Sequence, residues 1–178
     1  MSGIVAEAEA IPSSEEAEGA LDTAALQERV RGKNINEITL LATDYLNHFN
    51  EIIMLIELLP DMPDMFEEVE AWQPKSYEAH FEDSCFAEKD LAILAYRAAP
   101  KRFRSPFDSA VSHMDDLVAD GLVGLGEAVA SEDMDRIRAV AERVTDRLRR
   151  FIDVCSGIIH GDERTMDQGE IDSILNTA

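Results

Sequence analysis

Ser131-Glu-Asp-Met-Asp-Arg-Ile-Arg-Ala-Val-Ala-Glu-Arg-Val-Thr-Asp-Arg-Leu-Arg-Arg-Phe-Ile-Asp-Val-Cys-Ser-Gly-Ile-Ile-His-Gly161 sets the architecture of this chain. Ile137, Val140, Val144, Leu148, Phe151, Ile152, Cys155 and Ile159 recur at steps of three and four, so one stripe of a helix is apolar while the rest is charged. Ser131 is the expected N-cap, acids fill the first turn, and Gly161 stands where a left-handed closing residue belongs. The spacing therefore predicts a long amphipathic helix over Glu132 to His160. A helix with one apolar stripe needs other helices to cover it.

The same period appears upstream. With Asn34 or Asn36 as cap, a first long helix is expected to run to Leu59, stopped by Pro60, with Ile38, Leu41, Tyr45, Phe49, Ile52, Ile56 and Leu59 as its core stripe. Pro63 opens a short helix to about Trp72, and Ser76 caps another over Tyr77 to Asp83. Ala87 to Ala99 reads as a further helix before Pro100. Ser105-Pro106 is the expected start of a second long helix reaching about Ala130, whose Gly121, Gly124 and Gly126 imply a close helix approach or a bend. A short helical turn is expected around Thr23–Val30, ending near Gly32. No strand-like alternation occurs, so the expected fold is all-α: an antiparallel helical bundle over residues 23–161 with several short helices. Self-association through a long helix is compatible with this pattern.

Residues 1–22 hold six acidic residues and no basic one, and read as a disordered acidic tail. The whole chain carries a formal charge of -21 with a pI near 4.3. That balance argues against nucleic acid and against an anionic membrane as partners and favours basic protein surfaces. No apolar run is long enough to span a bilayer and no secretory leader is evident, so a cytoplasmic protein is expected. Cys85 and Cys155 form neither a disulfide framework nor a zinc pattern, and each is expected to act as a small buried hydrophobe. No Gly-rich loop follows a strand, and the sequence implies no cofactor.

After a polar hinge at Asp162 to Arg164, the run Met166-Asp-Gln-Gly-Glu-Ile-Asp-Ser-Ile-Leu-Asn-Thr-Ala178 reads as a short acidic amphipathic helix. Thr165 and Gln168 have capping-box spacing, and Met166, Ile171, Ile174 and Leu175 fall close to one face. Asp167 to Leu175 resembles the segment of form S-Q-x-E-I-D-x-L-L with which the flagellar switch protein FliM binds the response regulator CheY. It is also similar to the C-terminal peptide of the phosphatase CheZ. Gln168, Glu170, Ile171, Asp172 and Leu175 match that pattern, Ile174 stands conservatively for Leu, and Asp167 departs from Ser. The resemblance covers about a twentieth of the chain and leaves the body unassigned. It implies a CheY-like response regulator as partner of residues 162–178, and dephosphorylation of that regulator as one activity of the body. The ordinary alternative is a surface helix packed on its own domain.

In the CheZ family an acidic residue and an amide four apart on a helix engage the regulator's lysine and orient the attacking water. Asn47 and Glu51 have that separation in the opposite order, within the polar patch Asp44-Tyr-Leu-Asn-His-Phe-Asn-Glu51, and are the catalytic candidates; the family's Asp-x-x-x-Gln is absent from the body. The bland reading of the patch is a solvated face or an interhelical hydrogen-bond network. A different class of reading makes Asp44, His48 and Glu51 a metal or small-molecule site, with His113 and Asp116 as a second histidine–carboxylate pair on one helix face. A third makes His48 a phosphorylated histidine, although the lysine and glycine that usually follow such a residue are missing. His80 and His160 have no suggestive neighbours in sequence. Lys101-Arg-Phe-Arg104 is a small basic island, and the arginines between Arg136 and Arg150, interleaved with acids, read as a solvated ion-pair face.

Overall fold

The computed structural model describes residues 23–162, and among them every regular element is helical. Residues 23–30 form α1. A 3-10 turn at Thr43–Leu46 leads into α2, Asn47–Leu58, and a second at Pro63–Met65 leads into α3, Phe66–Ala71. Then come α4 (Tyr77–Asp83), α5 (Lys89–Ala98), α6 (Lys101–Ala130) and α7 (Met134–His160). No helix among the described residues is long and apolar enough to cross a membrane.

The two long helices pack side by side as a hairpin, the most extensive helix pairing in the molecule. The predicted stripe of α7 is buried except for half-buried Ile152. Its start differs by two residues. Asp133, and not Ser131, is the cap, accepting the N–H groups of Asp135 and Arg136 at 3.1 Å, while the Ser131 hydroxyl donates back to the Ala128 carbonyl at 2.7 Å and closes α6. Glu132 between them adopts φ 55°, which turns the chain. At the far end Gly161 has φ 79°; its N–H donates to the Ile158 carbonyl at 3.0 Å and that of Asp162 to Gly157 at 2.9 Å. This double closure satisfies carbonyls that the last turn would otherwise leave bare.

The glycines of α6 mark a close approach. A Cβ on Gly121 would lie 3.0 Å from both methyl groups of Val144 on α7, and one on Gly126 would meet the Phe66 ring of α3 at 3.1 Å. The start of α6 corrects the sequence expectation, because the helix begins at Lys101 and Pro106 lies inside it. The Pro100 carbonyl accepts the N–H groups of Phe103 and Arg104 at 2.9 and 3.0 Å and so nucleates the first turn. Pro106 then removes a single ladder bond near the exposed end, where its loss is tolerated most easily.

The first long helix is shorter than its periodicity implies. Asn36 does cap a turn, its Oδ1 accepting from Ile38 and Thr39 N–H at 2.8 and 3.0 Å, but the turn ends at Leu40 with φ 59°. Leu40, Leu41 and Ala42 then run non-helically through the core, all fully buried. The Thr39 hydroxyl donates to the Ile159 carbonyl in the last turn of α7 at 2.7 Å, and the Ala42 N–H donates to the Tyr77 hydroxyl at 2.8 Å. Tertiary burial has outweighed helix propensity here. Ile38, expected on the stripe, is exposed, whereas Tyr45, Phe49, Ile52, Ile56 and Leu59 are buried. Ser76 caps α4 as expected, accepting the Ala79 N–H at 3.2 Å. Cys155 is buried but Cys85 is exposed, because it falls in the turn between α4 and α5.

Candidate functional site

The polar patch of the sequence is split by the start of α2. Asn47, at the first residue of the helix, and Glu51, one turn later, are exposed; Asp44 in the preceding 3-10 turn is half-buried and His48 is buried. Asn47 and Asp44 line an open groove of about 500 Å³ with Asn50, Asp153 and Ser156. Glu51 is not among its walls, and its carboxylate instead favours the protonated form of His80 on α4.

His48 turns inward. Its ring stacks on Trp72 at 4.5 Å between centroids and lies 6.0 Å from the His80 ring. Its Nε2 is buried without a hydrogen-bond partner among the described residues. Burial, then the neighbouring His80 and Lys75, pull its pKa down to about 4, so the ring is neutral at pH 7. His80, passed over in the sequence for lack of neighbours, gains them from α2. Its pKa is lowered by burial, against which the Asp44 backbone acts.

No three His, Cys, Asp or Glu side chains come together in a metal-binding arrangement among the described residues. Asp44, His48 and Glu51 diverge between groove, core and surface, so they do not form the ligand set considered from spacing. His113 is occupied otherwise: its Nδ1 lies 2.7 Å from the Ser109 carbonyl and its ring stacks on Phe151, while Asp116 is exposed.

A second cleft, which spacing did not reveal, adjoins this patch through Tyr45. It measures about 340 Å³ and is lined by Tyr45, Tyr77, Tyr96, Phe107, Asp108 and Asp115 among others. Tyr77 and Tyr96 stack at 4.3 Å. The Tyr45 hydroxyl donates to the Lys75 carbonyl and that of Tyr96 to Asp108 Oδ1, each at 2.8 Å. Burial raises the pKa of all three phenols well above the ordinary tyrosine value, so they remain protonated. Asp115 differs: its Oδ1 is buried without a partner among the described residues, and burial followed by the nearby Asp116 pushes its carboxyl up to about 6. The cleft thus holds two carboxyls, Asp108 and Asp115, whose protonated forms burial favours. The sequence signal for the cleft was absent, because its walls come from the 3-10 turn before α2, the residues leading into α4, and α4, α5 and α6, and meet only in three dimensions.

The basic island Lys101-Arg-Phe-Arg104 forms the first turn of α6. Arg104 donates to the Arg97 carbonyl at 3.0 Å and lies over the Tyr96 ring. The proposed partner-binding residues Gln168, Glu170, Ile171, Asp172, Ile174 and Leu175, like the acidic stretch 1–22, lie outside the described residues. No family model matches the chain, and comparison with curated proteins and with solved structures finds no match.

Proposed function

We propose that this protein is a cytoplasmic accessory protein of bacterial chemotaxis or a related two-component pathway, and that residues 166–178 dock on a CheY-like response regulator. The observation that carries this reading is the run from Gln168 to Leu175. Ile171, Ile174 and Leu175 would fill an apolar groove while Glu170 and Asp172 meet lysine or arginine at its rim. The position of the run supports the reading. The hydrogen-bond ladder of α7 is closed at Gly161 and Asp162, and the buried stripe of that helix ends at Ile159, so among the described residues the helix ends before the docking residues begin.

The same reading gives the body a role in dephosphorylation. Asn47 and Glu51 stand exposed one turn apart on α2, where a docked regulator can reach them. An amide can orient the attacking water and a carboxylate can pair with the regulator's lysine, a contribution of positioning and charge without a covalent intermediate.

The test is a titration of the full chain and of an Ile171→Asp, Leu175→Asp variant into purified CheY-like receiver domains, with and without a phosphoryl mimic, followed by a phosphate-release assay. Loss of two apolar anchors is expected to weaken binding by about 30-fold or more, as for removal of interface hot spots. Equal affinity of both proteins, or no binding by either, overturns the docking reading. Unaltered phosphate release after Asn47→Ala and Glu51→Ala removes the catalytic part alone.

A further inference from the structure

The arginines of α7 fall into two sets. Arg136 pairs with Glu127 at 3.3 Å, Arg138 with Asp61 at 4.0 Å, and Arg149 with Glu57. Arg143, Arg147 and Arg150 make no ion pair among the described residues, although the chain carries a formal charge of -21. Among the described residues Arg143 donates only to the backbone carbonyl of Ala139 at 3.1 Å, and Arg147 has its Nε buried with no partner. These three side chains line one groove of about 520 Å³ between α6 and α7, together with the carboxylates of Asp120 and Asp146. Its floor is apolar, from Leu117, Val140 and Val144, and on the α6 wall Gly121 and Gly124 carry no side chain, which leaves Leu117 and Asp120 as the side chains α6 contributes. An apolar floor under an arginine-rich rim fits an acidic amphipathic helix.

The geometry points to residues 163–178 of this same chain as the occupant. That segment follows α7 directly and carries Glu163, Asp167, Glu170 and Asp172 against one base, Arg164, with Met166, Ile171, Ile174 and Leu175 as its apolar residues. Its reach matches. Arg150, Arg147 and Arg143 lie about 16, 21 and 27 Å back along α7 from Gly161 at 1.5 Å per residue. Three extended residues after the Gly161 turn cover about 10 Å. A helix of ten residues from Met166 then spans about another 15 Å, which brings Glu170 alongside Arg150 and carries Leu175 past Arg147 toward Arg143. The turn closed by Gly161 is where the chain would reverse. A helix this short is marginal alone and gains its stability from such a surface.

This inference rests on the reading of residues 166–178 as a docking helix and adds its regulation. The apolar face offered to the regulator is the face that lies in the groove, so a regulator must displace the segment from its own bundle before it binds. The arginine groove would then set how readily the segment is released.

Hydrogen exchange on the full chain tests this directly, with synthetic peptide 163–178 as the reference. Amides of residues 170–176 are expected to exchange on the order of tenfold slower in the full chain than in the peptide, equivalent to a docking free energy of about 1.4 kcal/mol. An Arg143→Glu, Arg147→Glu variant is expected to lose that protection and to bind a receiver domain more tightly; exposed Arg150→Glu serves if the double variant loses helicity. Three outcomes overturn the inference: exchange in the wild-type chain as fast as in the peptide, protection that survives both charge reversals, and protection that vanishes on dilution, which would assign the groove to a second copy. Protection that is lost in the variants while no receiver binds either protein supports the fold-back and defeats only the regulator reading.

Discussion

The α6/α7 hairpin and the short-helix region from residue 34 to Pro100 bury their side chains by different means. In the hairpin, aliphatic side chains at regular helical spacing meet a partner helix that glycine brings close, as where Gly121 leaves room for the Val144 methyls. Polar contacts between the two long helices are few and exposed, such as Arg136 with Glu127. In the short-helix region the contacts are aromatic and polar. The Tyr45 ring lies 5.2 Å from Tyr77, 5.8 Å from Phe107 and 6.0 Å from Phe49, and side-chain hydroxyls take over backbone hydrogen bonds that no regular helix supplies. Periodic burial is redundant, since several residues do the same work, whereas a hydroxyl aimed at one carbonyl has no substitute.

The largest expected effect follows from that asymmetry. Tyr45→Ala removes a fully buried ring and the donor to the Lys75 carbonyl. The change should destabilise the protein by about 5 kcal/mol, the upper end of the range for emptying an aromatic site, whereas Phe151→Ala, which empties a buried ring in the hairpin, should cost about 3 kcal/mol, the lower end. Urea unfolding of both variants checks it. Similar losses at the two positions would mean that the short-helix region is packed as redundantly as the hairpin.

The same contrast explains what was legible in the sequence. The α7 stripe, its Gly161 closure, and the Ser76 cap of α4 are local patterns, and each is found where spacing placed it. The chain before α2 was misread because Asn36 caps a turn and not a helix, and the burial of Leu40 to Ala42 depends on Tyr77 and Ile159, far away in sequence. Ser131 and Asp133 are both good caps, and only the φ of 55° at Glu132 assigns one to each helix end. At the candidate site, Asn47 and Glu51 were legible as surface residues of a helix, but the inward turn of His48 onto Trp72 was not. Nor were the neighbours of His80 and Asp115, which other helices supply.

Two titrations probe the polar side of the comparison. Asp115 is raised to about 6 from an ordinary 3.8, so the folded state holds its proton more tightly than the unfolded chain does. Its penalty is absent below about pH 4 and complete above pH 6, and stability falls as pH rises between them. His48 is lowered to about 4 from 6.5, so the folded state resists protonation. Its contribution is complete above pH 6.5 and is lost as pH falls toward 4. The two groups therefore act with opposite slopes over the same window. Asp115→Asn is expected to gain stability over the wild type progressively from pH 4 to 6, and His48→Phe progressively from pH 6.5 down to 4. Thermal unfolding across this range would show two difference curves of the same sign and opposite slope, and a flat curve for either variant would remove that group from the account.

The smallest effect isolates backbone conformation at two left-handed glycines, one closing the hairpin and one just before the short-helix region. Gly161 at φ 79° closes α7, and Gly32 at φ 72° follows α1. A Cβ at Gly32 would meet nothing within 4 Å, and one at Gly161 would meet only the Thr39 methyl at an ordinary 3.7 Å. Steric clash therefore contributes at neither site, and Gly→Ala should cost each about 1 kcal/mol for the left-handed conformation alone. At position 161, however, the turn sits beside the Ile159 carbonyl that accepts the Thr39 hydroxyl. If the closing turn of α7 and the docking of residues 39–42 are coupled, Gly161→Ala will cost more than Gly32→Ala, and Thr39→Val will abolish the excess. Additive losses in the Thr39→Val, Gly161→Ala double variant would instead mean that the hairpin end and the short-helix region are joined by contact without energetic coupling.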